Sequence, residues 1–277
     1  MHMDGAEVTG GLLPADSPAM TPQQTPPART LDEAVALMRD LRTRCEWDRV
    51  QTHASLRPYL IEEAHEVDDA IALGDDAILR DELGDLLLQV LFHAVVAEER
   101  GAFAIQDVAG ALVAKMHARH PHLYGDGVKR SWEAMKAEKT RRSSLDEGLP
   151  SGLPALHRAH RLQDRAAGVG FDWPDAIGPL AKVREEVEEV AEHIGADGTV
   201  ADQDKLELEL GDLLFAVVNL CRKTGVHAGL ALDRANEKFT RRYGAMEKVA
   251  ATRGADLTMM TLEEQDVIWD EVKRSEG

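Results

Sequence analysis

This sequence is poor in the residues that would commit it to several common protein classes. Aromatic side chains make up only 4% of its 277 residues. No stretch sustains the two-residue alternation of a half-buried strand, which argues against a sheet-based core. Only two cysteines are present, Cys45 and Cys221, and their spacing resembles neither a disulfide framework nor a zinc site. Cationic residues are outnumbered, 32 Lys and Arg against 50 Asp and Glu, giving a net charge of −18. So acidic a chain lacks the basic footprint that neutralises nucleic-acid phosphates or docks on anionic membranes. No apolar run reaches the roughly 20 residues of a membrane span, and no signal-peptide pattern opens the chain. The expectation is a cytoplasmic protein that binds neither nucleic-acid polymer nor membrane.

What the chain does contain is Ala, Leu, Val and Glu in helical patterns, a balance that suits packed helices. Residues 1–29, rich in Gly, Pro, Ala and Thr, are expected to form a disordered tail. Thr30 and Glu33 match a capping box that opens the first helix. Further helices are expected over 60–73, 77–99, 105–119 and 132–141. Residues 143–174 carry repeated Gly and Pro and read as a linker around a short helical piece near 156–165. The scheme then repeats, with helices over 178–194, 205–224, 228–252 and 262–274. The fold class is all-α, with two tandem helical bundles over 30–142 and 175–277.

The duplication is sharpest in an acidic signature. Glu62-Glu63-Ala64-His65-Glu66 precedes Glu82-Leu83-Gly84-Asp85, and Glu185-Glu186-Val187-Glu188-Glu189 precedes Glu209-Leu210-Gly211-Asp212. The first elements are offset by 123 residues and the second by 127, so only the intervening loop changes length. Residues three apart share a helix face. Glu63 with Glu66, and Glu82 with Asp85, therefore each present two carboxylates on one side, and antiparallel packing would bring all four together. The second copy does the same with Glu186, Glu189, Glu209 and Asp212. Four crowded carboxylates imply a cation, and hard oxygen ligands suit Mg²⁺, or Mn²⁺. The glycine before each aspartate costs helix stability of about 1 kcal/mol and points to a close approach at that position. An isolated acidic run would be read as a solvated helix face; its repetition at the mouths of two apolar helices favours a metal.

Both copies also carry cations four residues apart on a later helix, Lys115 with Arg119 and Lys238 with Arg242. Lys205 stands one turn before Glu209, where it would reach a phosphate, whereas the matching residue of the first copy is the apolar Ile78. The second copy is thus better equipped for an anionic substrate.

Taken with Arg119-His120-Pro121-His122, Trp132-Glu133, Arg161-Leu162-Gln163, Val169-Gly170-Phe171-Asp172-Trp173 and Ala235-Asn236-Glu237-Lys238-Phe239, these motifs resemble the MazG family of the all-α NTP pyrophosphatases. The resemblance covers nearly everything after residue 30. It implies hydrolysis of NTPs or dNTPs to monophosphate and pyrophosphate with Mg²⁺, by attack of water at the α-phosphorus. It also implies a homodimer. Carried onto this chain, Glu186, Glu189, Glu209 and Asp212 would be the catalytic metal ligands, with Glu63, Glu66, Glu82 and Asp85 as a second set. Lys182, Lys205, Lys238, Arg242 and Trp269 would contact substrate, with Lys115 and Arg119 in the corresponding role of the first copy. Catalysis would rest mainly in the C-terminal domain. An alternative is that the first copy serves as an NTP-sensing or assembly module. A ferritin-like di-iron site is disfavoured because Glu188 replaces the histidine that a second E-x-x-H would require.

Overall fold

The computed structural model describes residues 30–125, 127 and 144–276. The expected tail and the expected helix over 132–141 lie outside them. Among the described residues the regular elements are helices, and the pairing of Ile194 with Val200 is an isolated bridge. The described residues divide into two compact units, with the boundary between Met116 and His117.

The first unit holds α1 (Leu31–Arg44), a short 3-10 turn (Asp48–Val50), α2 (Arg57–Leu73), α3 (Asp76–Glu99) and most of α4 (Ile105–Arg119). Thr30 and Glu33 form the expected capping box. The α2 helix starts three residues ahead of expectation because Pro58 fits its first turn, where no backbone N–H is needed. It ends at Gly74, whose left-handed φ of 74° a residue with a Cβ would adopt only under strain. Asp75 then caps α3 by accepting from the backbone of Ala77 and Ile78. The core gathers Val35 and Met38 of α1, Leu56, and Leu91, Phe92, Val95 and Val96 of α3. The C-terminal half of α3 is thereby buried, while its N-terminal half, with the acidic motif, pairs with α2.

The second unit contains the short α5 (Pro121–Tyr124), α6 (Ala155–Gly168), α7 (Ile177–Glu192), α8 (Gln203–Lys223), α9 (Ala228–Thr252), a 3-10 turn (Leu257–Met259) and α10 (Leu262–Ser275). The 143–174 stretch supplies α6, which packs on α8 and α9. The α7–α8 hairpin is the most extensively packed helix pair, and α9 pairs with α10 around Met246, Ala250, Leu257, Ile268 and Val272. Thr261 and Glu264 form a second capping box at the start of α10.

One cation ties the first unit together. Arg42, nearly buried on α1, donates from Nε to Glu99 Oε1 at 2.8 Å and from Nη1 to the carbonyl of Gln51 at 3.0 Å. Its guanidinium also lies 5.7 Å from the Phe92 ring. Removing a nearly buried, multiply bonded partner leaves carbonyls and a carboxylate unsatisfied. Arg42→Ala is expected to lower unfolding free energy by about 1–3 kcal/mol, with Arg42→Lys recovering only part because an ammonium cannot reproduce the two-pronged contact. Chemical denaturation of the three proteins checks this, and equal midpoints would contradict it.

Candidate metal centres

The i, i+3 spacing of the acidic motifs becomes geometry where α7 and α8 fold back on one another. Glu186, Glu209 and Asp212 each bring a carboxylate oxygen within 4.8 Å of the other two. Glu189 stands one turn beyond Glu186, and the interaction between their two carboxyl groups, with desolvation second, holds the Glu189 pKa above the ordinary carboxylate range. Glu186 is only 3% exposed. Its Oε1 meets Lys182 Nζ at 2.6 Å, while its Oε2 is buried with no hydrogen-bond partner among the described residues. Lys182 also contacts Glu185 at 2.9 Å, and these two carboxylates raise its pKa. A buried anionic oxygen without a donor is costly. A hard cation among the three carboxylates would satisfy it, so the donor set fits a divalent metal.

The first unit repeats the arrangement between α2 and α3. Glu63, Glu66 and Glu82 lie within the same 4.8 Å of one another. Asp85 stands beside them, close enough for its charge to act on Glu63 and Glu82. Desolvation, then the charges of Asp85 and Glu66, raises the Glu63 pKa; desolvation, then the charges of Glu66 and Asp85, raises that of Glu82. In each unit, then, three of the four expected carboxylates share one point and the fourth flanks it. Gln89, one turn after Asp85, is buried and hydrogen-bonds to Glu63, while its own Oε1 has no partner among the described residues. Sequence reasoning missed it, although its i+4 spacing from Asp85 was a usable signal.

The expected cations are placed unevenly. Lys182 enters the second cluster directly. Lys205 is exposed and pairs with Asp202, the cap of α8, at 3.5 Å. Arg242 Nε donates to Glu276 at 2.7 Å, and its guanidinium lies 5.7 Å from the ring of Trp269. Trp269 is half-buried against Phe239, and Lys238 is exposed one turn before Arg242. Lys115 is exposed and Arg119 half-buried on α4, a helix with no buried residue. A Cβ built on Gly84 or Gly211 meets no described atom within 4 Å, so the close approach expected at these glycines is not made by the described part of the chain.

Known proteins resemble this chain in sequence. Residues 51–124 and 179–246 each match the MazG nucleotide pyrophosphohydrolase domain. The chain is 46% identical over 251 residues to the nucleoside triphosphate pyrophosphohydrolase of Escherichia coli K12, covering 86% of this chain and 94% of that protein. It is 44% identical over 250 residues to the nucleoside triphosphate pyrophosphohydrolase/pyrophosphatase MazG of Thermotoga maritima, covering 87% and 95%. The chain belongs to the MazG family. A longer relative, the protein YabN of Bacillus subtilis, is 41% identical over 252 residues, which are 87% of this chain and 51% of YabN.

Both acidic clusters fall inside the two MazG segments. The two copies differ around them. The offset that places Glu63 on Glu186 puts Tyr59 where the second copy has Lys182, and Tyr59 packs edge-on against Trp47 at 5.9 Å. With Ile78 in place of Lys205, the first MazG segment lacks both lysines that lie one turn ahead of the acidic motifs in the second.

The raised carboxyl pKa values carry a sign. Glu63, Glu82 and Glu189 take up protons in the folded chain before the unfolded chain does as pH falls. Their contribution to the metal-free protein therefore becomes more favourable as pH drops from neutrality toward the ordinary carboxylate range. Glu189→Gln removes one share of this strain. It is expected to raise the melting temperature at neutral pH without divalent ions and to flatten the pH slope, as read by thermal denaturation across that window. A variant with an unchanged or steeper slope would contradict the assignment.

Proposed function

We propose that this MazG protein hydrolyses nucleoside triphosphates, NTP or dNTP, to the monophosphate and pyrophosphate, mainly in its second unit and with Mg²⁺ as the preferred ion over Mn²⁺. The observation that carries this reading is the buried Glu186, with one oxygen on Lys182 and the other unpartnered beside Glu209 and Asp212. Glu186, Glu189, Glu209 and Asp212 would hold the ion. When bound, it would supply charge neutralisation to the triphosphate and Lewis acidity toward a water. The chain's own part is to position and to move a proton. Lys182, Lys205, Lys238 and Arg242 would take phosphate oxygens, and Trp269, already under the Arg242 guanidinium, would close over the nucleotide. A carboxylate of the cluster accepts a proton as water oxygen bonds to the α-phosphorus and the bond to the pyrophosphate oxygen breaks.

The first unit keeps the carboxylates but has Tyr59 and Ile78 in place of the lysines. That difference favours a second role for it, binding metal and nucleotide as a sensing or assembly module. Lys115 and Arg119 would serve that site.

Homodimer assembly is part of the same proposal. Leu83, Leu87 and Val90 on α3 are exposed at i, i+4, i+7 spacing, and so are Leu210, Leu214 and Val217 on α8, which the 127-residue offset makes their counterparts. Two matching apolar stripes, each beside a glycine with open space, suit burial against helices of a second chain.

Product analysis with a nucleotide panel and Mg²⁺ tests the enzymatic reading. Release of NMP and pyrophosphate is expected to fall about 10²–10³-fold in Glu186→Ala, the size of losing a group that stabilises transition-state charge, and to persist in Glu63→Ala. Loss in Glu63→Ala alone would move the active centre to the first unit. Light scattering tests the assembly: Leu87→Glu with Leu214→Glu should yield a monomer, and a mass equal to that of wild type would overturn the dimer surface.

A further inference from the structure

The end of α10 brings one carboxylate onto two guanidiniums of α9. Glu276, the residue that caps α10, accepts at Oε2 from Arg242 Nε at 2.7 Å and at Oε1 from Arg241 Nε at 3.2 Å. Each oxygen is thus engaged by a different arginine, and among the described residues neither arginine pairs with another carboxylate. The bond from Arg242, with that from Arg241 adding to it, holds the Glu276 carboxyl below the ordinary carboxylate range. The contact is therefore fully charged at neutral pH.

The place this carboxylate fills is built for an anion. The Arg242 side chain is only 17% exposed, and its guanidinium stands 5.7 Å from the Trp269 ring. Trp269 packs in turn against Phe239 at 5.7 Å, so the guanidinium is oriented before any ligand arrives. Lys238, one turn earlier on α9, is exposed and has no ion-pair partner among the described residues. Residues 238, 241 and 242 share a helix face, which sets three cations against that one paired carboxylate in a chain of net charge −18. The copies differ here too. The 123-residue offset that aligns Lys115 with Lys238 and Arg119 with Arg242 puts Ala118 opposite Arg241.

Glu276 also stands where a helix disfavours an anion. The carbonyl end of α10 carries partial negative charge, and the last residues of a helix fray readily. The buried residues of α10 are Ile268 and Val272, so Glu276 lies beyond the packing that holds α10 to α9. It can leave the arginines without opening that core.

A carboxylate on a guanidinium makes the same charge-assisted contacts as a phosphate. We propose that Glu276 is an internal competitor, seated on Arg241 and Arg242 where a phosphate group of the substrate would bind, and displaced when a triphosphate arrives. The proposal rests on the reading of Arg242 as a phosphate ligand of the second unit. The tethered carboxylate closes the pair to an anion with few other contacts, such as inorganic phosphate. It yields to a triphosphate, which brings more charge and more contacts.

The test is a calorimetric titration of the whole chain, with Mg²⁺, by an α,β-methylene nucleoside triphosphate, whose α–β bridge resists hydrolysis. Glu276→Gln keeps the shape of the side chain and removes its charge. It is expected to tighten binding about two- to fivefold, the scale of one partly exposed ion pair. KM for a hydrolysable triphosphate should fall by a similar factor with kcat unchanged. A residue that only staples α10 to α9 would give unchanged or weaker binding in Glu276→Gln, and that result would overturn the proposal. Arg242→Gln separates the two readings. Weaker binding there, with no gain in Glu276→Gln, would sink the competitor alone. Unchanged binding in both variants would remove Arg242 as a phosphate ligand as well.

Discussion

Like charges brought within a few ångströms of each other are the constraint around which this protein is built. Two helix hairpins, α2–α3 and α7–α8, each press three carboxylates into mutual reach of a single point. Coulomb repulsion at that separation grows as the surroundings become drier, so the hairpins must be held closed by packing elsewhere. In the first unit the buried C-terminal half of α3 and the Arg42–Glu99 tie to α1 do this. In the second, α6 packs on α8, and Lys182 neutralises the most buried carboxylate from one side. The Glu186 oxygen that has no partner among the described residues is the part of the repulsion that they leave unresolved.

Duplication with divergence explains much of the rest. The two copies preserve the acidic spacing and the exposed apolar stripes through α3 and α8. They differ where substrate would be engaged. Lysines at 182 and 205 face Tyr59 and Ile78 in register, and Asn219 on a cavity wall faces Phe92 in a core. Membership of the MazG family fits this pattern in both halves.

The helical framework was largely legible in the sequence because its signals are local. Capping at Thr30, the Gly74 stop, the apolar periodicity of α3 and α8, and the i, i+3 carboxylates each act within one or two turns. The duplicated motif therefore announced the two carboxylate clusters, and the helical patterning announced the all-α class. Some local details were still open to reading and went unread, Gln89 one turn beyond Asp85 among them.

Other features depend on contacts between distant segments, which no periodicity encodes. The hydrogen bond from Gln163 to Phe215 spans 52 residues, and the pairing of Asp172 with Arg222 spans 50. Together they turn a stretch that reads as a linker into the wall of a cavity. The burial of Glu186, the flanking places of Glu189 and Asp85, and the capture of Arg242 by Glu276 were likewise settled by packing. By itself the sequence determined which residues carry charge and on which helix face, because a helix's geometry follows from its own chain. Only the tertiary structure decided which of those charges lose water and which find a partner, because desolvation and pairing depend on neighbours that the chain brings from far away.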